Sequence, residues 1–347
     1  MKVGYARNVA VEWVMQHGSK EDNFLGAYFS GSIVGMPNDA ELTESSDVDI
    51  VVVFTLDKPQ HKLGKFFYHD VLLEVTYLSW NELSSVEDVL TSHHLASSFR
   101  IDTIIADPTG SIHKLQAQVS LHFTEKEWVR RRCENVLNKI KNGLRNINTS
   151  APFYDQVTEW LFPTGVTTHV ILLAALRNPT VRRRYLAVRE VLLEYGHVDF
   201  YQSLLDLLGC TQLTPSRVEE HLDELAKTFD TAVAVSKTPF FFSTDITAIA
   251  RPIAIDGSRR LIRAGYHHEA IFWIVAIFAR CHKILAADAP LELVRANIPA
   301  FEEMMADIGI TSTQDIIHRA EEVIQFLPRL WEITEDILLK NPSIVNK

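Results

Sequence analysis

The sequence predicts an α+β protein: a small mixed β-sheet with flanking helices, followed by an α-helical domain. Three observations carry that class. Val/Ile-rich and aromatic runs with strand character are confined to about the first 110 residues. From Ser111 onward nearly every segment places apolar residues at helical spacing. The 347 residues also exceed what one core supports, since single cores stop growing near ~250–300 residues. Two domains are therefore expected, 1–120 and 121–347.

Taken in order, Tyr5, Val9, Val11, Trp13 and Val14 predict a helix over 5–18 that stops at Gly18. Strands follow over 24–30, 47–54 and 66–78. A short helix is expected to begin at Ile33 and a longer one to cover 81–94. The run from Ile101 is a short strand entering a turn, because Asp107-Pro108 and Thr109-Gly110 both interrupt regular structure. Helical patterns then cover 111–121, 125–147, 153–176, 180–195, 198–208, 215–235, 257–264, 267–286, 298–307 and 313–339. Thr124 caps one of them, with Glu125 and Glu127 favourable at its positive end. Residues 237–252 have no clean period and read as a packed loop, with Phe240, Phe241 and Phe242 in the core.

Composition narrows the function classes. Residues 1–120 hold 8 Lys/Arg against 16 Asp/Glu, so most of the chain's net charge of −10 lies there. A nucleic-acid enzyme needs a basic surface to neutralise phosphates, and none is evident, so no nucleic-acid partner is expected. An acidic first domain suits cationic substrates or metal ions. Cys133, Cys210 and Cys281 are odd in number and match no metal spacing, which predicts buried free thiols in a reducing compartment. Met1-Lys2 leads into no apolar segment of signal-peptide type, and Ala270–Ala279 is shorter than the ~20 residues of a membrane span. A cytoplasmic protein without membrane association is expected.

The chemistry concentrates around Gly31-Ser32 and Asp47-Val48-Asp49. In an extended strand residues i and i+2 share a face, so Asp47 and Asp49 point one way while Ile50, Val52 and Phe54 line the other. Two carboxylates that close repel each other, and a divalent cation resolves the conflict. Mg²⁺ characteristically takes such a pair together with substrate phosphates. Gly31-Ser32 ends the preceding apolar run, where a bare backbone and a small hydroxyl let phosphate oxygens reach amide groups. A third acid, Glu74, stands mid-strand among Leu72, Leu73, Val75, Tyr77 and Leu78. A carboxylate buried there needs a metal or a nearby Arg or Lys. Asp70, after His69, reads as a turn residue.

Together, Gly31-Ser32, Asp47-x-Asp49 and Glu74 resemble the nucleotidyltransferase superfamily that includes DNA polymerase β. The nearer likeness is to its small-molecule branch of kanamycin and other aminoglycoside nucleotidyltransferases. The resemblance covers about the first third of the chain. It implies a small mixed sheet whose acids Asp47, Asp49 and Glu74 hold Mg²⁺, two ions being expected. Gly31 and Ser32 would then position a nucleoside triphosphate, with ATP the expected case. The implied reaction moves AMP onto a hydroxyl of a small molecule and releases pyrophosphate, with Glu74 either completing the metal site or accepting the hydroxyl proton. One departure is that fourteen residues separate Ser32 from Asp47, so Pro37 to Ser46 reads as an inserted turn. Alternatives are an enzyme that adenylylates a protein, as in regulatory or toxin–antitoxin systems, and a nucleotide-binding sensor without turnover.

Other candidates carry less. Arg182, Arg183 and Arg184 in a helix's first turn stand at the end that disfavours cations, so an anion is expected nearby: a triphosphate, for which Arg182 is the candidate, or a carboxylate. A solvated face is the alternative. Asp155 and Glu159 share a helix face, and the resemblance implies a helical-domain glutamate as base toward the acceptor hydroxyl, though an ordinary surface face has the same pattern. Arg263 and His268 have the Arg-x4-His spacing of HEPN-type domains, but Gly265 interrupts it and the spacing reads as chance. His93-His94 and His267-His268 read as surface or cap residues.

Overall fold

The computed structural model describes residues 1–43, 46–55, 63–179 and 182–346. The chain divides into two compact units, Met1–Asn135 with Leu173–Thr180 and Asn341–Lys347, and Val136–Leu172 with Val181–Lys340. The α+β class stands: a five-stranded mixed sheet in the N-terminal part, then a helical region.

In the first unit, α1 (Val3–Gln16) packs Val9, Ala10, Trp13 and Val14 on one face of the sheet. The strands are β1 (Phe24–Phe29), β2 (Val48–Phe54), β3 (Gly64–Tyr68), β4 (Val71–Ser79) and β5 (Ile104–Ala106), in the spatial order β3-β4-β2-β1-β5. β2 and β4 run parallel, and the other neighbours antiparallel. Alternation along β2 sends Val48, Ile50, Val52 and Phe54 toward α1. It sends Val51 and Val53 to the opposite face, which is covered by α2 (Val86–Thr91), α3 (Ala96–Phe99) and α4 (Ser111–His122). Burial on both faces is why β2 is nearly continuous in apolar residues. The unit continues into α5 (Lys126–Arg145), beyond residue 120, because buried Arg132 donates to Leu90 O at 3.0 Å and Phe123 O at 2.5 Å.

Several expectations are corrected. The single strand over 66–78 is a hairpin, β3 and β4, turned at His69-Asp70, where His69 takes a left-handed φ of 50°. Asp70 is the turn residue expected, and Tyr5 Oη donates to it at 2.7 Å. The helix over 81–94 is broken: Ser79 and Glu82 cap one 3-10 turn, and Ser85 then caps the six-residue α2. Serines at 84 and 85 divert the backbone to local hydrogen bonds instead of continuing one helix. Of the inserted turn at Pro37–Ser46, Glu44 and Ser45 lie outside the described residues. Its Ala40 and Leu42 are backbone-bonded to Val3 and Met1.

The second unit centres on α11 (His267–Asp288), which is buried without interruption from Glu269 to His282. It alone among the described residues is long and apolar enough to cross a membrane, yet 83% of its most apolar window is buried inside the protein. A helix apolar on all sides and covered by others is a core helix. Around it lie α6 (Phe153–Ala174), α7 (Arg184–Glu194), α8 (Val198–Asp206), α9 (Pro215–Val235), α10 (Gly257–Arg263), α12 (Leu291–Asp307) and α13 (Thr313–Lys340). α9 starts at a Thr214 cap with Pro215 behind it and buries Val218, Leu222, Leu225 and Phe229. α12 starts at Leu291 rather than 298 and runs through Pro299. In the loop before α10, Phe242 is buried but Phe241 stands 81% exposed, against the expectation of a core position. The three cysteines are buried and free, as expected.

Candidate functional site

The site begins where β1 ends. Gly31 holds φ at +64°, and a Cβ on it would lie 1.8 Å from Asp49 Oδ2. Only glycine fits, because the Asp49 carboxylate lies where a side chain would be. The backbone locks the two segments together, Ser30 N donating to Asp49 O at 3.0 Å. The helix expected from Ile33 is absent. Gly31–Ile33 is one 3-10 turn, and the left-handed Gly35 (φ +83°) and Pro37 end it. Without a helix no macrodipole faces the site. Ser32 is exposed at this turn.

The sheet register assembles the acids. Asp49 pairs with Glu74 across the parallel β2–β4 ladder, and Glu74 pairs with Lys65 across β3–β4. Directly paired residues project to one face, so Lys65, Glu74 and Asp49 form a row across three strands. Asp47, just before β2, joins them, and one oxygen from each of Asp47, Asp49 and Glu74 lies within 4.8 Å of the others. Lys65 was not singled out in the sequence. Its ammonium is bonded to Glu74 and lies 2.8 Å from Asp47 Oδ2, with the Lys65 side chain 6% exposed. Of the two readings of Glu74, the pairing with a nearby lysine is the one observed, and Glu74 also lies in the acid cluster.

Three further groups gather at the Gly31–Gly35 turn, all in the first unit. Asn178 Nδ2 donates to Gly31 O at 2.7 Å. Leu176, with a left-handed φ of 55°, presents its carbonyl to Arg100 Nη1 at 3.4 Å. Arg100 Nη2 comes so near Gly35 that a Cβ there would lie 3.0 Å from it. Burial, and then the like charge of Arg177, push the Arg100 guanidinium below its ordinary range. Beside this turn opens a cavity of about 450 Å³, lined by Arg7, Phe29, Met36, Ile101 and Thr103 among others.

The arginine, acid and His267-His268 candidates lie in the second unit. Arg182 Nη1 donates to Ile253 O at 3.0 Å, and its guanidinium lies 5.0 Å from the Trp273 ring centroid. The helix expected from 180 starts at Arg184, and Thr180 and Val181 are outside the described residues. Arg184 is buried over Phe272, and that burial lowers its pKa to about 10, so the solvated-face alternative does not describe it. Asp155 pairs with Lys283 at 2.7 Å, while Glu159 accepts from Asn148 N at 2.6 Å. His267 and His268 do not point apart, for both Nε2 atoms lie 3.1 Å from Leu213 O.

Hard oxygen donors in this number suit Mg²⁺ better than a soft or nitrogen-seeking metal. The buried ammonium of Lys65 is itself a stand-in cation among them. The residues therefore fit a divalent ion. No protein-family model and no curated protein matches the chain.

Proposed function

We propose that this protein is a Mg²⁺-dependent nucleotidyltransferase that moves a nucleoside monophosphate, AMP in the expected case, onto a hydroxyl of a small molecule. The observation that carries the reading is the convergence of Asp47, Asp49 and Glu74 beside a glycine that Asp49 obliges to lack a side chain. The likeness of these residues to the polymerase β superfamily supports it.

In this reading Asp47, Asp49 and Glu74 hold the metal, which when bound neutralises charge on the triphosphate and on the transferring group. Asp47 and Asp49 fix its position from the start of β2, a rigid element buried on both faces. Gly31 and Ser32 offer backbone N–H groups and a hydroxyl to phosphate oxygens. Arg100 and Arg177 add positive charge beside the same turn, suited to the negative charge of the leaving pyrophosphate. Glu74 either completes the metal site or takes the proton of the acceptor hydroxyl.

The test is incubation with Mg²⁺ and each labelled nucleoside triphosphate against a panel of hydroxyl acceptors, read by mass spectrometry. Transfer of a nucleoside monophosphate, abolished in Asp49→Asn, is the expected result. Asn keeps the shape and loses the charge, so transfer falls by about 3 kcal/mol of transition-state stabilisation or more. The metal-free variant should melt at or above the parent temperature, because carboxylate repulsion is relieved. Transfer at the parent rate by Asp49→Asn sinks the reading.

A further inference from the structure

The Lys65 ammonium reaches Asp47 and Glu74 in the acid cluster that Asp49 completes, and the Lys65 side chain is nearly buried there. Lys65 is delivered by register rather than by chance of rotamer, since β3 sets it opposite Glu74 as β2 sets Asp49. Its carboxylate partners Asp47 and Glu74 are also two of the three residues that would ligate a metal. A divalent ion on those oxygens would face a positive charge at contact distance, and the two cations repel. The second observation at this place is Gly31, which leaves room for the Asp49 carboxylate but not for any side chain.

From this we infer that Lys65 is a resident competitor of the metal, and that loading is an exchange in which its ammonium leaves Asp47 and Glu74. The inference rests on the metal-site reading above. Lysine is suited to such a role, having a compact charge on a four-carbon stem that can swing. An ammonium displaced from carboxylates and left near-buried needs another anion. A triphosphate arriving with the metal supplies one. Metal alone therefore binds weakly, and metal with triphosphate binds cooperatively, with Lys65 as the coupling element. The device keeps the site shut to free divalent ions until the co-substrate is present.

The experiment measures Mn²⁺ binding to the full chain by electron paramagnetic resonance, with and without α,β-methylene-ATP, for the parent, Lys65→Met and Lys65→Gln. The parent should bind Mn²⁺ at least about tenfold more tightly with the nucleotide than without it. Both variants should bind Mn²⁺ alone about tenfold or more tighter than the parent and lose most of that nucleotide dependence. A second measurement needs no variant. The ¹⁵Nζ resonance of Lys65 in the parent should persist with Mg²⁺ at a concentration too low to load the site alone, and shift when the nucleotide is added. Variants that bind Mn²⁺ no tighter than the parent, or a Lys65 resonance indifferent to loading, overturn the exchange while leaving the metal site standing. Absence of Mn²⁺ binding in all three proteins, with and without nucleotide, overturns the metal site itself.

Discussion

Lys65 in the sheet unit and Arg280 in the helical unit are both nearly buried cations, with side chains 6% and 8% exposed. Their surroundings differ in kind. Arg280 pairs with the Asp245 carboxylate at 2.9 Å, and the rings of Phe162, Phe242 and Trp273 lie within 6 Å of its guanidinium. Its charge meets a carboxylate, and around it stand aromatic faces that favour a cation without carrying net charge. Lys65 instead bridges Asp47 and Glu74, two acids of a cluster that Asp49 completes. A carboxylate-paired cation among aromatic rings reads as architecture. A nearly buried cation shared between carboxylates that converge on one point reads as a place for something more.

The comparison can be broken most sharply at two glycines. Gly31→Ala forces a Cβ to within 1.8 Å of Asp49 Oδ2 in a left-handed backbone, and Gly165→Ala drives one to within 2.2 Å of Phe272 Cε2. The first should lose about 3 kcal/mol or more, combining backbone strain with overpacking, and should also lose Mn²⁺ affinity. The second should lose about 2 kcal/mol by overpacking and leave Mn²⁺ affinity unchanged. Denaturant unfolding and a metal titration on each variant check both statements. Equal metal affinity in Gly31→Ala and the parent would remove the Asp49 carboxylate from the site.

A smaller effect sharpens the helical side. His282 is buried between Phe278 and Phe301, its Nε2 has no hydrogen-bond partner among the described residues, and burial pushes its pKa down to about 4. The fold therefore keeps this base neutral, whereas an unfolded chain protonates it near the ordinary value of about 6.5. The unfolded state binds the extra proton between those values, so stability is full above about pH 6.5 and falls as pH drops toward 4. The loss should approach about 3 kcal/mol. His282→Phe keeps the ring packing and should flatten that part of the pH–stability curve. An unchanged acid slope in the variant would place the sensitivity elsewhere.

Much of this was legible in the residues, and the gaps have physical causes. The shared face of Asp47 and Asp49 and the place of Glu74 mid-strand among apolar residues follow from the sequence pattern alone. A single strand over 66–78 hides the pairing that brings Lys65 to Glu74. With the turn placed at His69-Asp70, Tyr68 opposes Val71 and the same count sets Lys65 opposite Glu74. A left-handed histidine at such a turn carries no strong sequence signal, unlike Asn-Gly. The close approach of Gly31 to Asp49 is a tertiary fact that no local pattern encodes. Arg100, Arg177 and Asn178 were invisible for the same reason: residues 173–180 join the sheet unit from far along the chain.

The central claim is that the acid cluster admits a triphosphate only together with a divalent metal, because bare carboxylates and phosphates repel. Isothermal calorimetry of the full chain with ATP, GTP, CTP and UTP, first with Mg²⁺ and then with EDTA, measures this directly. At least one triphosphate, ATP in the expected case, should bind with Mg²⁺ and release no binding heat in EDTA. Equal binding in EDTA, or none of the four binding with Mg²⁺, would contradict it.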